Sequence, residues 1–347
     1  MIDTGPTPGI LVMGAGSIGC WLGGRLAAAG TAVQLVGRPR VLDALRRNGL
    51  TLTDREGGRT EVPADRLQLF DEVPAGARPS LVLLCVKSGA TADAARQLGD
   101  CLPAGTPVLS MQNGLSNVAT AQQAAPSLQW LPGMVPYNVA ELGPGRFHRG
   151  TEGVLAAQDH AALRHWLPRF HAAGLPMALH ADLAPVQWGK LLLNLNNAVN
   201  ALSGLPLRAQ LLDRDLRGCT AALIAETLAV LGRAGIRPAK MSPLPPAWVP
   251  SVLRLPTPLF RIVAARMLRI DDKARSSMAD DLALGRTTEV DALQGEVIRL
   301  ATSLGLAAPQ NACIRALVLD WPTRRERFTG VALQQAMGLA AGPGTSG

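Results

Sequence analysis

Glycines at 14, 16 and 19 constrain this chain more than any other feature of its sequence. They follow an apolar run of strand length, Ile10-Leu11-Val12-Met13. They precede a helical stretch from Trp21 that stops at Gly30. Strand, G-x-G-x-x-G and helix in this order make a turn that holds a pyrophosphate. Gly14 permits the tight turn, Gly16 lets the backbone approach the phosphates, and Gly19 lets the helix pack close to the strand. The N–H groups at the start of the helix have no helical partners and face the anion. Gly14, Ala15, Gly16, Ser17, Ile18 and Gly19 are therefore expected to bind a dinucleotide.

A second strand, Ala32 to Val36, is followed by Gly37-Arg38-Pro39-Arg40. An NAD site places an acidic residue here for the ribose 2′-hydroxyl. A carboxylate would repel a 2′-phosphate, whereas the guanidinium of Arg38 can bind one with paired hydrogen bonds. The expected cofactor is NADP(H).

Leu81 to Lys87 is a continuous apolar run ending in a lysine, as suits a parallel strand buried on both faces. Pro107 to Gly114 is another strand. Ligands of doubly wound sheets bind beyond the carboxyl ends of strands, and Lys87 and Asn113 stand at two such ends. Leu50–Thr53 and Thr60–Val62 suggest short strands, and 130–157 suggests antiparallel strands that finish the sheet. Ala161–Ala173 suggests a last helix before a closing strand near His180. Beyond it the pattern is helical: Pro185–Leu202, Asp213–Ala234, Leu259–Leu284, Thr288–Leu304 with Thr288 as N-cap, and Asn311–Leu319. The expected organisation is an α/β Rossmann-type dinucleotide-binding domain over 1–181, an all-α domain over 182–339, and a disordered tail over 340–347.

The 347 residues are 48% hydrophobic, enough for two cores. No apolar run is long enough to span a membrane, and the N-terminus has no signal-peptide pattern. Five scattered cysteines without C-x-x-C spacing suggest reduced thiols, no zinc site and a cytoplasmic setting. The net charge of +8 is dispersed, and aromatics make up only 3%. That argues against nucleic acid and for anionic small molecules. Lysine occurs only at 87, 190, 240 and 273, every other cationic side chain being arginine. A position that needs only positive charge takes Arg in this chain. A lysine that remains suggests an ammonium that must give up a proton.

Lys190, Asn194 and Asn197 are spaced i, i+4, i+7, on one face of the helix expected from Pro185. They suggest a proton donor with amides that recognise a carbonyl compound. Three segments now define a resemblance: Gly14-Ala15-Gly16-Ser17-Ile18-Gly19; Trp188-Gly189-Lys190-Leu191-Leu192-Leu193-Asn194; and Ser276-Ser277-Met278-Ala279-Asp280-Asp281 with Gly285-Arg286-Thr287-Thr288-Glu289-Val290-Asp291. With Val86-Lys87 and Gln112-Asn113-Gly114, the chain resembles the ketopantoate reductases (2-dehydropantoate 2-reductases) over almost its whole length.

The resemblance implies an NADPH-binding Rossmann domain, a helical domain and a possible homodimer. By position it implies Lys190 as catalytic acid and Glu289 as its acidic partner. It places Asn113 near nicotinamide and substrate, Lys87 on the cofactor side, Arg38 at the 2′-phosphate, Asn194 and Ser277 on the substrate, and Asp281 at an acidic position nearby. The chemistry implied is hydride transfer from NADPH to the carbonyl carbon of a 2-oxo acid. Two family amides are replaced by Ala198 and Ala274. Asn197 adjoins the first, rotated by about 100° on a regular helix, and is a further substrate candidate. Substrate identity therefore stays open between ketopantoate and a different branched or bulkier 2-oxo acid. A non-catalytic NADP(H) sensor is the alternative of another class, one that would have no need of Lys190, Asn194, Ser277 and Glu289.

Overall fold

Among the described residues twelve strands form, all before residue 181 and many of them from short β-branched or leucine-rich runs. They are β1 (Ile10–Met13), β2 (Val33–Val36), β3 (Leu50–Asp54), β4 (Arg59–Val62), β5 (Gln68–Phe70), β6 (Leu81–Leu84), β7 (Pro107–Ser110), β8 (Gln129–Met134), β9 (Val139–Gly143), β10 (Arg146–Arg149), β11 (Leu155–Gln158) and β12 (Met177–His180). The structure is a computed structural model describing residues 9–265, 268 and 274–339. It divides between Leu183 and Ala184 into two compact units.

In the first unit, eight strands form one sheet in the order β12-β11-β8-β7-β6-β1-β2-β5. From β8 to β5 every neighbouring pair is parallel, while β11 runs antiparallel to β8 and β12 parallel to β11. Alternate residues feed two cores on opposite faces. Ile10, Val12, Leu81 and Leu83 pack on one side with Cys20, Trp21, Leu22 and Leu26 of helix Ser17–Ala28. Leu11, Met13, Val82 and Leu84 pack on the other with Ala94, Ala95 and Leu98 of helix Thr91–Cys101. This is the three-layer Rossmann arrangement, with the strand order reversing between β1 and β6.

The segment 130–157 does not simply finish this sheet, contrary to expectation. β9 and β10 instead join β3 and β4 in a separate four-stranded sheet ordered β4-β3-β10-β9. Its inward residues Leu50, Leu52, Val62 and Phe147 pack on helix Ser17–Ala28 from the side away from the main sheet. The helix is thus held between two sheets. A Cβ on Gly23 would stand 2.8 Å from Leu35 Cδ2 of the main sheet, and one on Gly24 would stand 2.9 Å from Leu52 Cδ1 of the small one.

The second unit is helical, with no strand among the described residues. Helix Pro185–Leu202 of the sequence reading is two helices, Ala184–Asn194 and Asn196–Ser203, separated at Leu195. Leu259–Leu284 likewise contains two helices, Thr257–Val263 and Ser277–Ala283, and part of the chain between them lies outside the described residues. So do Lys273 and the tail 340–347. Ala161–Ala173 is two short helices, and Asn117–Ala124, Leu207–Leu212 and Gly330–Ala336 are helices the sequence reading omits. Among the described residues no helix is long and apolar enough to cross a membrane.

Helix Arg214–Arg233 is the axis of this unit, capped by Asp213, whose carboxylate accepts from the N–H groups of Asp215 and Leu216. From it Arg217 enters the core at 0% exposure. Its guanidinium donates to the carbonyl oxygens of Leu253, Leu211 and Leu255 at 3.0, 2.9 and 2.9 Å, and lies 4.2 Å from the centre of the Phe260 ring. It thereby joins three chain segments through groups that would otherwise be buried without donors. Arg217→Leu should lower the free energy of unfolding by about 3 kcal/mol, since each orphaned carbonyl costs about 1 kcal/mol or more. A urea titration reads this as a fall in midpoint; an unchanged midpoint would show that the guanidinium is dispensable.

Candidate functional site

Parallel strands deliver their carboxyl ends to one edge of the sheet. Gly14 follows β1, Arg38 follows β2 by two residues, Lys87 follows β6 by three and Asn113 follows β7 by three. The fold therefore brings these residues to a common rim. At the point of strand-order reversal Gly14 has φ +111°, and a Cβ there would sit 2.7 Å from Val86 N. A Cβ on Gly19 would sit 2.0 Å from Gly14 O. Both positions are closed to other residues, since the turn and the first turn of the helix are pressed together.

Gly16 is different: a Cβ there would meet nothing within 4 Å, so its backbone faces open space. It is the N-cap of helix Ser17–Ala28, with no side-chain cap and no acidic residue in the first turn. The first N–H groups of such a helix lack intrahelical acceptors. An anion is the partner that this donor set, helix dipole and open approach accommodate. Arg38 is exposed and stands at the N-cap of helix Pro39–Asn48. No carboxylate precedes it at the end of β2. The rim fits a dinucleotide, with Arg38 beside it.

Lys87 is exposed and Asn113 half-buried. Behind them lies a buried polar network that sequence reading misses, made by Ser110, Gln112, Thr91 and Asn117. The signal available was the run of polar residues closing a strand otherwise apolar, at Ser110 and Gln112.

In the second unit Lys190 and Asn194 lie on helix Ala184–Asn194, both half-buried. Burial pushes the Lys190 ammonium down to about 8, against the opposing pull of the Glu289 charge. Two distant positions of the sequence, 190 and 289, are thus electrostatically coupled. Glu289 is itself the N-cap residue of helix Val290–Ser303, displacing Thr288 from the role expected of it. A lysine of lowered pKa beside a carboxylate can donate a proton near neutral pH far more readily than a free one.

The face predicted by the i, i+4, i+7 spacing is interrupted at Leu195, so Asn197 belongs to the next helix. The interruption is tied down laterally. Gln294 Nε2 donates to Leu195 O at 3.2 Å. The Asn196 amide exchanges hydrogen bonds with Gln210 and accepts from Thr220. Ser276 Oγ donates to Asn197 O at 3.1 Å and caps helix Ser277–Ala283. This brings Ser277, which is exposed, next to the half-buried Asn197. Asp281 is buried on the same short helix. Ala198 is 0% exposed, so the missing amide there leaves packed apolar surface rather than open room. Asn200 is equally enclosed, its amide spent on Leu205 O and Ser276 N.

A family model described as "Ketopantoate reductase PanE/ApbA" matches residues 10–161, and its C-terminal counterpart matches residues 182–320. The chain belongs to the ketopantoate reductase family. Membership makes it an oxidoreductase. The 2-dehydropantoate 2-reductase of Halobacterium salinarum is 33% identical over 310 residues, covering 86% of this chain and 94% of that protein. The solved PanE/ApbA family ketopantoate reductase of Ralstonia eutropha JMP134 has 29% identity and a TM-score of 0.75, over 89% of this chain and 97% of that one. D-mandelate dehydrogenase, solved with NADH and anilino(oxo)acetate, shares the fold at 18% identity and a TM-score of 0.71, over 95% and 99% of the two chains.

Within this family fold, the lowered pKa of Lys190 has a thermodynamic consequence. The ordinary value is 10.5 and the folded value about 8, so the folded state binds the proton less well than the unfolded state. The penalty is present in full below about pH 8 and disappears as the unfolded lysine also deprotonates, above about 10.5. Lys190→Met should therefore stabilise the protein near pH 7, by about 2–3 kcal/mol. The gain should shrink as pH rises from 8 to 10.5. Thermal denaturation across that range checks it; a gain that is absent or grows with pH would contradict the desolvated ammonium.

Proposed function

We propose that this protein reduces a 2-oxo acid with NADPH, most simply 2-dehydropantoate (ketopantoate) to pantoate. The observation that carries the reading is Lys190, half-buried, lowered to about 8 by desolvation and set against the charge of Glu289, at the position where the resemblance expects the acid. When bound, the cofactor supplies a hydride to the C2 carbonyl carbon of the substrate. Backbone N–H groups of Gly14 to Gly19 hold its pyrophosphate, Arg38 its 2′-phosphate, and Lys87 and Asn113 its reactive end. Lys190 hydrogen-bonds the carbonyl oxygen as negative charge develops there, and then transfers its proton to it. Glu289 holds the ammonium in place and in its charged form. Asn194, Asn197 and Ser277 orient the substrate through its oxygen atoms.

A second reading keeps the chemistry and changes the substrate to another branched or bulkier 2-oxo acid. It is favoured by Ala274, a half-buried position where a family amide is replaced; Ala198, the other such position, is enclosed. NADPH oxidation measured with a panel of 2-oxo acids tests both. Ketopantoate giving the highest kcat/KM supports the first reading, and no oxidation with any member overturns both.

Two further outcomes follow from the assigned roles. NADPH should bind at least about tenfold more tightly than NADH, about 1.4 kcal/mol. Arg38→Ala should remove most of that preference, and equal affinities in the wild type would refute the role of Arg38. Lys190 acts protonated, so kcat/KM should be level below about pH 8 and fall about tenfold per unit above it. Lys190→Arg keeps the charge but is a very poor acid, and should lose most of kcat together with that descending limb. Near-normal kcat in this variant would reduce Lys190 to a binder of the substrate carboxylate.

A further inference from the structure

The ends of β6 and β7 are joined by a closed chain of hydrogen bonds. Ser110 Oγ donates to Gln112 Oε1 at 2.9 Å. Gln112 Nε2 donates twice, to Val86 O at 2.9 Å and to Thr91 Oγ1 at 2.8 Å. Thr91 Oγ1 donates onward to Asn117 Oδ1 at 3.1 Å, and Asn117 Nδ2 donates to Asn113 O at 2.6 Å. Ser88 Oγ reaches the same carbonyl at 3.0 Å. Thr91, Gln112 and Asn117 are 1%, 6% and 7% exposed.

The two main-chain carbonyls held by this chain are informative. One belongs to Val86, the residue before Lys87. The other belongs to Asn113 itself. Each is a strand-end position whose φ/ψ sets where the neighbouring functional side chain points. The single group common to both branches is the Thr91 hydroxyl, which accepts from Gln112 and donates to Asn117. Every donor and acceptor in it has a fixed role, so the chain has one arrangement rather than several.

We propose that the Thr91–Gln112–Asn117 relay is a positioning device for the reaction, fixing Lys87 and Asn113 together against the nicotinamide end of the cofactor. Thr91, Gln112 and Asn117 touch neither cofactor nor substrate; they act through those two residues. The inference rests on the functional reading above, in which Lys87 and Asn113 face the reactive end while Arg38 and the glycine turn hold the adenosine end.

That separation gives the test. Thr91→Val is isosteric and removes the shared hydroxyl; Thr91→Ser retains it. Dissociation constants are measured for NADPH and for adenosine 2′,5′-bisphosphate, which lacks the nicotinamide end, along with kcat and KM for ketopantoate. Loss of buried hydrogen bonds predicts that Thr91→Val weakens NADPH and lowers kcat by about tenfold or more. Affinity for the bisphosphate should stay within about twofold of the wild type, and Thr91→Ser should restore NADPH affinity and kcat. Asn117→Asp, which keeps the acceptor for Thr91 but turns a repelling oxygen toward Asn113 O, should give the same pattern and serves if Thr91→Val does not fold. The proposal is overturned if both ligands weaken equally, which marks general damage, or if the variants match a wild type that binds NADPH. A wild type that binds neither ligand overturns the functional reading and the proposal with it.

Discussion

The parallel pairing of β1 with both β2 and β6 is the constraint on which the rest of the first unit depends. Parallel neighbours must return through a crossover, so their carboxyl ends accumulate at one edge. That geometry gathers the glycine turn, Arg38, Lys87 and Asn113 from positions spread over a hundred residues. It also accounts for the burial of β1 and β6 on both faces, because crossover helices cover each side. A chain with the same residues on antiparallel strands would scatter them between two edges.

Reading the sequence captures this much because its signals are local. A glycine triplet between an apolar strand and an apolar helix is specified within a score of residues, as is an apolar run that ends in Lys87. The small sheet is not specified in this way. β3 and β10 pair in parallel although about ninety residues separate them, and all four of its strands are short and partly exposed. Nothing in 139–149 says which sheet edge it will join. The relay behind Asn113 is hidden for the same reason: Gln112 and Thr91 meet across 21 residues and two strand ends.

In the helical unit the illegible feature is the interruption at Leu195. No proline or glycine marks it, and the asparagines around it keep helical spacing. What replaces the regular face is a set of lateral hydrogen bonds from Gln294, Gln210, Thr220 and Ser276, whose partners come from four other helical segments. The effect is to hold Leu195, Asn196 and Asn197 from outside their own helix. Asn200 and Ala198, on the same helix as Asn197, are enclosed.

Helix Ser17–Ala28 is gripped from both sides, by Leu35 of the large sheet against Gly23 and by Leu52 of the small sheet against Gly24. Most crossover helices of an open sheet have one face in water and can shift on the strands beneath them. This one is packed on both faces so closely that neither glycine could carry a side chain without displacing a leucine. The close packing on both faces fixes the direction in which its N-terminal amides point. The conformational entropy of fixing that helix end is thus lost during folding. The small sheet, which carries none of the assigned side chains, thus acts on the glycine turn at a distance, as the far jaw of a vice.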